Sequence, residues 1–323
     1  MNKGFLFLFL IIFIAILSAC SPEQDSEEIN KVGLLVPETI SDQVWGTKGY
    51  KGLLKIQSQH DIEVYYEEEM NSEAATLNAI MRFDEQGVNL IFGHGSEYGE
   101  YFNKIGLEYP HIHFVSFNSH SKLENTTSLS FESYAMGYFG GMTAAHMSNT
   151  GSVGIIAAFD WQPEVNGFIE GVQFQNPEAQ VFVRFTEDWD DKEKAHDFLT
   201  ELMSQKVDVL YPAGDGYNIS VIETLKENGL FAIGYVSDQS DLGENTVLTS
   251  TVQHVDRLYE VVADQFIQGK LESGDLYFDF QDDVISLGRF SSNVDEEFQE
   301  KIRSYVEEYK KSGVLPEYQE VQS

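Results

Sequence analysis

Residues 207–241 read VDVLYPAGDGYNISVIETLKENGLFAIGYVSDQSD. Val207–Tyr211 is a short, nearly continuous apolar run, and Leu230–Tyr235 is another. Between them, Ile219–Asn228 carries its apolar residues at helical spacing. Strand, loop, helix and strand in succession form the unit of a parallel α/β sheet. Strands buried on both faces read as unbroken apolar runs rather than as alternation.

The same pattern extends in both directions. Strand-like runs occur at Val32–Val36, Ile62–Tyr66, Val88–Phe92, Ile112–Phe117, Val153–Ala157 and Val181–Phe185. Helical spacing recurs at Tyr50–Gln57, Ala74–Gln86, Ala135–Met147 and Lys192–Gln205, with a last helix from Asp295 to Lys311. So many strands predict two doubly wound parallel sheets, an α/β protein of two lobes with a ligand cleft between them. The stretch HSKLENTTS at 120–128 reads as the first crossover, and late runs at Val247–Thr251 and Tyr277–Phe280 let the chain cross back. The expected division is a first lobe of 31–119 plus 250–277, a second of 120–249 plus 278–318, and a tail of 319–323.

Ligands of open α/β sheets bind outside the carboxyl ends of strands. All three tryptophans fall in loops at such ends: Trp45, Trp161 and Trp189. Flat apolar faces in a cleft suit ring-bearing ligands.

The first residues set the location. Lys3 precedes an apolar run from Phe5 to Leu17, and Leu-Ser-Ala-Cys follows at 17–20. The run is too short to span a bilayer as a helix and has the form of a signal peptide. Residues 1–19 are therefore expected to be removed. Cys20, the only cysteine, is the expected lipidation site, and 20–30 the anchored linker. The expected location is the cell membrane, lipid-anchored on the extracytoplasmic face. A single cysteine excludes internal disulfides and CxxC sites. The formal net charge of −33 opposes a phosphate backbone and argues against nucleic-acid binding.

Catalytic and metal chemistry find little support. His94, His111, His113 and His146 lack ligand spacing and read as structural. No Ser-His-acid order is evident. The Gly-rich loops lack a lysine and the full dinucleotide order. The expectation is a binding protein that is not an enzyme, with no cofactor and no metal.

Five segments carry a family resemblance: SDQVWGTKGYKGL at 41–53, FESYAMGYFGGMTAAHMSNTGSVGII at 131–156, VDVLYPAGDGYN at 207–218, GYVSDQSD at 234–241 and VLTSTVQHVD at 247–256. Together they resemble the basic membrane protein family, lipoproteins of the type 1 periplasmic-binding fold that bind purine nucleosides for ABC importers. GHGSEY at 93–98 and FGGMTAAHMS at 139–148 resemble a branch of it that positively regulates competence. The resemblance implies ligand-binding roles for Asp42, Trp45, Asn118, Trp189, Gly214, Asp238 and Gln253. Trp45 and Trp189 would sandwich a flat base, with Trp45 in the place of the family's phenylalanine. The polar clamp departs from the family pattern: Asn118 and Val236 stand where it carries aspartates, and Gln253 where it carries lysine. A buried ligand hydroxyl left unpaired costs about 1–3 kcal/mol, so sugar recognition is expected to be altered.

Two functions follow. One is a regulatory lipoprotein whose open or closed state is read by a membrane signalling partner, acting on competence genes indirectly. The other is the substrate-binding subunit of an ABC nucleoside importer, docking on a permease.

Overall fold

The structure is a computed structural model that describes residues 31–40 and 45–316. The expected signal peptide, Cys20, the linker, Asp42 and the tail lie outside the described residues.

The chain begins with β1 (Lys31–Leu35), α1 (Trp45–His60), β2 (Glu63–Glu67), α2 (Glu73–Glu85), β3 (Leu90–Gly93), α3 (Glu97–Ile105), β4 (His113–Phe117) and β5 (Thr126–Phe131). Next come α4 (Tyr134–Met147), β6 (Ser152–Ala157), α5 (Pro163–Gln175), β7 (Gln180–Phe185), α6 (Lys192–Ser204), β8 (Val209–Ala213), α7 (Asn218–Glu227), β9 (Phe231–Gly234) and β10 (Val247–Gln253). The chain then returns through α8 (Val255–Ile267) and β11 (Gly274–Phe278), and ends with β12 (Ile285–Leu287) and α9 (Glu296–Ser312). The strands form two six-stranded sheets, in the orders β11-β5-β4-β3-β1-β2 and β12-β10-β9-β8-β6-β7. Every pairing is parallel except β10 with β12. The expected two-lobed α/β fold is thus observed.

The lobe boundaries differ from the expected ones. The stretch expected to cross over at 120–128 instead leads into β5, which pairs with both β4 and β11 in the first sheet. The first crossing falls between Phe131 and Tyr134. β10 belongs to the second sheet, so the second crossing falls between Gln253 and Val255. Strand β5 (TTSLSF) escapes a reading by hydrophobicity because its buried hydroxyls are satisfied internally. Ser128 Oγ donates to Ser119 O at 2.8 Å, and Thr127 Oγ1 to Glu272 O at 2.8 Å. Once bonded, a hydroxyl can be buried at little cost.

Helix α4 carries a stop-to-stop buried surface from Ala135 to Ala145, so it is a core helix of the second lobe. It crosses α5 with backbone against backbone. A Cβ on Gly137 or Gly141 would lie 2.2 Å from the carbonyl oxygens of Glu164 and Phe168. A Cβ on Gly167 or Gly171 would lie 2.0 and 1.9 Å from those of Tyr134 and Tyr138. Small residues at four-residue spacing on both helices permit this approach. The pair connects the first crossing, just before α4, to the loop that precedes α5. Among the described residues, no helix is long and apolar enough to cross a membrane.

Candidate functional site

Sequence reasoning directs attention to the carboxyl ends of the strands, and a cavity of about 210 Å³ lies there. Its walls are Lys48 from α1 of the first lobe, Asp215, Asn218 and Ile219 after β8, and Tyr235–Asp238 after β9. A larger open groove of about 790 Å³ runs past Lys226, Phe231 and Thr246. It sits at the starts of β9 and β10, the wrong ends for a ligand in this architecture.

Hydrogen bonds hold the floor of the cavity. Asn218 Nδ2 donates to Gly214 O at 2.6 Å and to Asp215 O at 2.8 Å. Gln239 Nε2 donates to Asn218 Oδ1 at 2.6 Å, while Gln239 Oε1 accepts from Tyr235 N at 2.8 Å. Gln239 N donates to Ser250 Oγ at 3.1 Å. Two buried amides thereby fix the loops after β8 and β9 against β10, the kind of support that keeps a binding site preorganised. Burial without charge compensation pushes the Tyr211 and Tyr235 hydroxyls well above the usual tyrosine range, so they stay neutral donors.

From the first lobe, Lys48 Nζ donates to Val236 O at 2.8 Å and to Gln253 O at 3.4 Å. Burial lowers its pKa to about 8, against the opposing fields of Asp215 and Asp256. Trp45 lies one helical turn earlier on the same face of α1. Its ring stacks on His94, with centroids 4.4 Å apart and planes 13° apart, and its Nε1 donates to His94 O at 3.2 Å. His94 is fully buried. With its proton on Nε2, that nitrogen donates to Trp45 O at 2.8 Å, and Nδ1 accepts from Tyr259 Oη at 2.9 Å. One face of Trp45 is therefore taken by protein.

In the second lobe, Trp189 meets Phe159 and Trp161 edge-on, at 5.5 and 6.0 Å between centroids. Phe159 and Trp161 stack at 5.4 Å, and Trp161 is 63% exposed. The loop bearing these rings is anchored by Glu164, a buried carboxylate. It accepts from Ser133 Oγ at 2.9 Å, Gln162 Nε2 at 2.8 Å and Tyr235 Oη at 3.3 Å.

The residues expected to bind ligand are brought together unevenly. Asp238 lines the cavity, but its carboxylate faces Arg289 Nε at 3.3 Å and accepts from Ser240 N at 3.1 Å. Gln253 contributes its backbone carbonyl, and Gly214 sits beside Asp215. A side chain on Gly214 would strike Tyr217 at 2.1 Å, so a glycine is needed there for packing. Asn118 is exposed at the end of β4 in the left-handed region, φ +49°, a conformation that asparagine tolerates well. Lys48 escaped sequence reasoning because nothing distinguishes it from Lys51 on the same segment. The histidines hold structure together: His146 stacks on Phe298 and bonds Asp295, while His113 bonds Thr127. Among the described residues, no group of three or more His, Cys, Asp or Glu is placed to hold a metal ion.

Two lobes of mostly parallel sheet, joined by short crossing segments and with a cavity at the strand ends, have the architecture of periplasmic-type binding proteins. The model for ABC transporter substrate-binding proteins of the PnrA-like (Bmp) kind matches residues 29–319, and the chain belongs to that family. It is 52% identical over 303 residues to the transcriptional activator protein Med of Bacillus subtilis, covering 94% of this chain and 96% of that one. A solved structure of a transcriptional activator of the comK gene from Bacillus halodurans is 54% identical. It superposes with a TM-score of 0.85, covering 88% of this chain and 99% of that one. A purine-binding protein of Brucella abortus is 26% identical over 258 residues, 79% of this chain and 72% of that one. The family consists of substrate-binding proteins, not enzymes.

Proposed function

We propose that this chain is an extracytoplasmic lipoprotein, anchored through Cys20, that binds a small aromatic, nucleoside-like ligand between its lobes. Its readout is positive control of competence genes. The carrying observation is the preorganised cavity at the strand ends, in a chain with a transcriptional activator at 52% identity and a purine-binding relative. A charge of −33 opposes DNA contact, so control is indirect, through a membrane partner that reads lobe closure. Of the site residues we propose, Asp238 lines the cavity, and Gly214 and Gln253 belong to the proposed set through the family pattern. Trp45 and Trp189 are proposed as the rings that hold the base, and Asp42 and Asn118 complete the implied set.

Calorimetric titration of the purified full chain with guanosine, adenosine, guanine and adenine tests the binding half. Absence of binding heat for all four at millimolar ligand would refute it. Palmitate labelling that persists in Cys20→Ala would refute the anchor. The family match favours one alternative, the recognition subunit of an ABC nucleoside importer. Co-purification of a permease with the ligand-loaded chain, together with unchanged competence expression in a deletion strain, would select it.

A further inference from the structure

Lys48 stands out because it belongs to one lobe and bonds the other. Its ammonium reaches two carbonyls, Val236 O at 2.8 Å and Gln253 O at 3.4 Å. These are the carboxyl ends of the neighbouring strands β9 and β10 in the second sheet. The two acceptors are themselves joined, Gln253 N donating to Val236 O at 3.0 Å. The lysine thus caps a strand pair across the cleft.

The acceptor side is built in an unusual way. Val236 has φ +62°, and Ser237 N donates back to Tyr235 O at 2.7 Å, closing a three-residue turn about Val236. A β-branched residue there is strained, and such a conformation persists only where its surroundings impose it. In this conformation the Val236 carbonyl serves as acceptor to both Lys48 and Gln253 N. Lys48 also lines the cavity, as does Asp215. The cavity volume, about 210 Å³, lies below the roughly 300–1,000 Å³ typical of sites for drug-sized ligands.

We propose that Lys48 is an interlobe latch that sets ligand size: by tying α1 to the ends of β9 and β10 it holds the cleft to the dimensions of one flat ring system and disfavours a ring bearing a sugar. The latch stands on geometry alone, whereas the size preference rests on the ligand-binding reading above.

Hydrogen–deuterium exchange of the full chain in mild detergent, without ligand, tests the latch in wild type, Lys48→Met and Lys48→Arg. Peptides covering 234–241 and 250–255 are expected to exchange at least tenfold faster in Lys48→Met, with recovery in Lys48→Arg. Peptides from β3 and β4 should not change, which separates latch loss from unfolding. Equal protection in all three proteins overturns the latch. Titration with guanine and guanosine tests the size half. Wild type is expected to favour the base, and Lys48→Met to shift the ratio at least tenfold toward the nucleoside. An unchanged ratio overturns that half. If neither compound binds either protein, the ligand reading falls, and the exchange result still decides the latch.

Discussion

Replacing Gly171 by alanine puts the α4–α5 crossing to a direct test. An added Cβ would sit 1.9 Å from Tyr138 O and 2.7 Å from its carbonyl carbon. An ordinary carbon–oxygen contact is about 3.3 Å, so the backbone of α4 would have to retreat by roughly 1.4 Å. It has nowhere to go, since α4 is buried along its length and Gly137, Gly141 and Gly167 make equally close approaches. Overpacking costs about 1–3 kcal/mol, and more where backbone must move. The helical preference for alanine over glycine returns only about 0.5–1 kcal/mol. The net loss should be about 2 kcal/mol, a fall in Tm of roughly 4–8 °C at about 2–4 °C per kcal/mol. Gly140 is the control on the same helix. Its added Cβ meets nothing nearer than Ile233 Cγ2 at 3.4 Å, so Gly140→Ala should be neutral or mildly stabilising. Thermal melts by circular dichroism would compare the two variants. A Gly171→Ala protein as stable as wild type would refute the contact-limited crossing.

Three other outcomes follow from the structure. Burial lowers the pKa of His113 from 6.5 to about 4. The unfolded chain therefore binds the extra proton first, and stability present above pH 6.5 drains away as pH falls toward 4, by roughly 2–3 kcal/mol. Urea titrations over that range should show the loss, and His113→Asn should flatten it; an identical slope in the variant would remove His113 as the cause. Gln239→Leu strips partners from Asn218 and Tyr235 N, and each orphaned buried group costs about 1–3 kcal/mol; chemical denaturation should register the loss, and a variant of wild-type stability would count against a rigid cavity floor. Asp191 caps α6 by accepting from Lys194 N at 2.9 Å, so Asp191→Ala should lose about 1 kcal/mol, measurable by denaturant midpoint, and no shift would mean that the cap is idle.

Apolar runs made the sheets legible, because a strand buried on both faces must be written in Val, Ile and Leu, as Val153–Ala157 is. Strand β5 was not legible, since Thr126, Thr127 and Ser128 are buried through hydroxyl bonds formed only after folding, and the lobe boundary was misplaced with it. Trp161 and Trp189 were legible as loop positions, whereas Trp45, expected in a loop, is the first residue of α1. Their partners were not legible: nothing in the sequence places His94 under Trp45 or Phe159 beside Trp189. Lys48 lies beyond sequence reasoning for the same reason. Its role depends on which carbonyls of the second lobe come within reach, a property of tertiary closure rather than of local pattern.

The placement of the tryptophans has a practical consequence. The sequence has three, one at the start of α1 in the first lobe and two in the loops after β6 and β7 in the second. Trp45 packs half-buried against the hydrophobic core, whereas Trp161 is 63% exposed. Intrinsic emission therefore reports one ring packed against the core of the first lobe and a ring cluster on the second. Selective excitation thus follows the surroundings of Trp45 in one lobe and of the Trp161–Trp189 cluster in the other, without any attached dye.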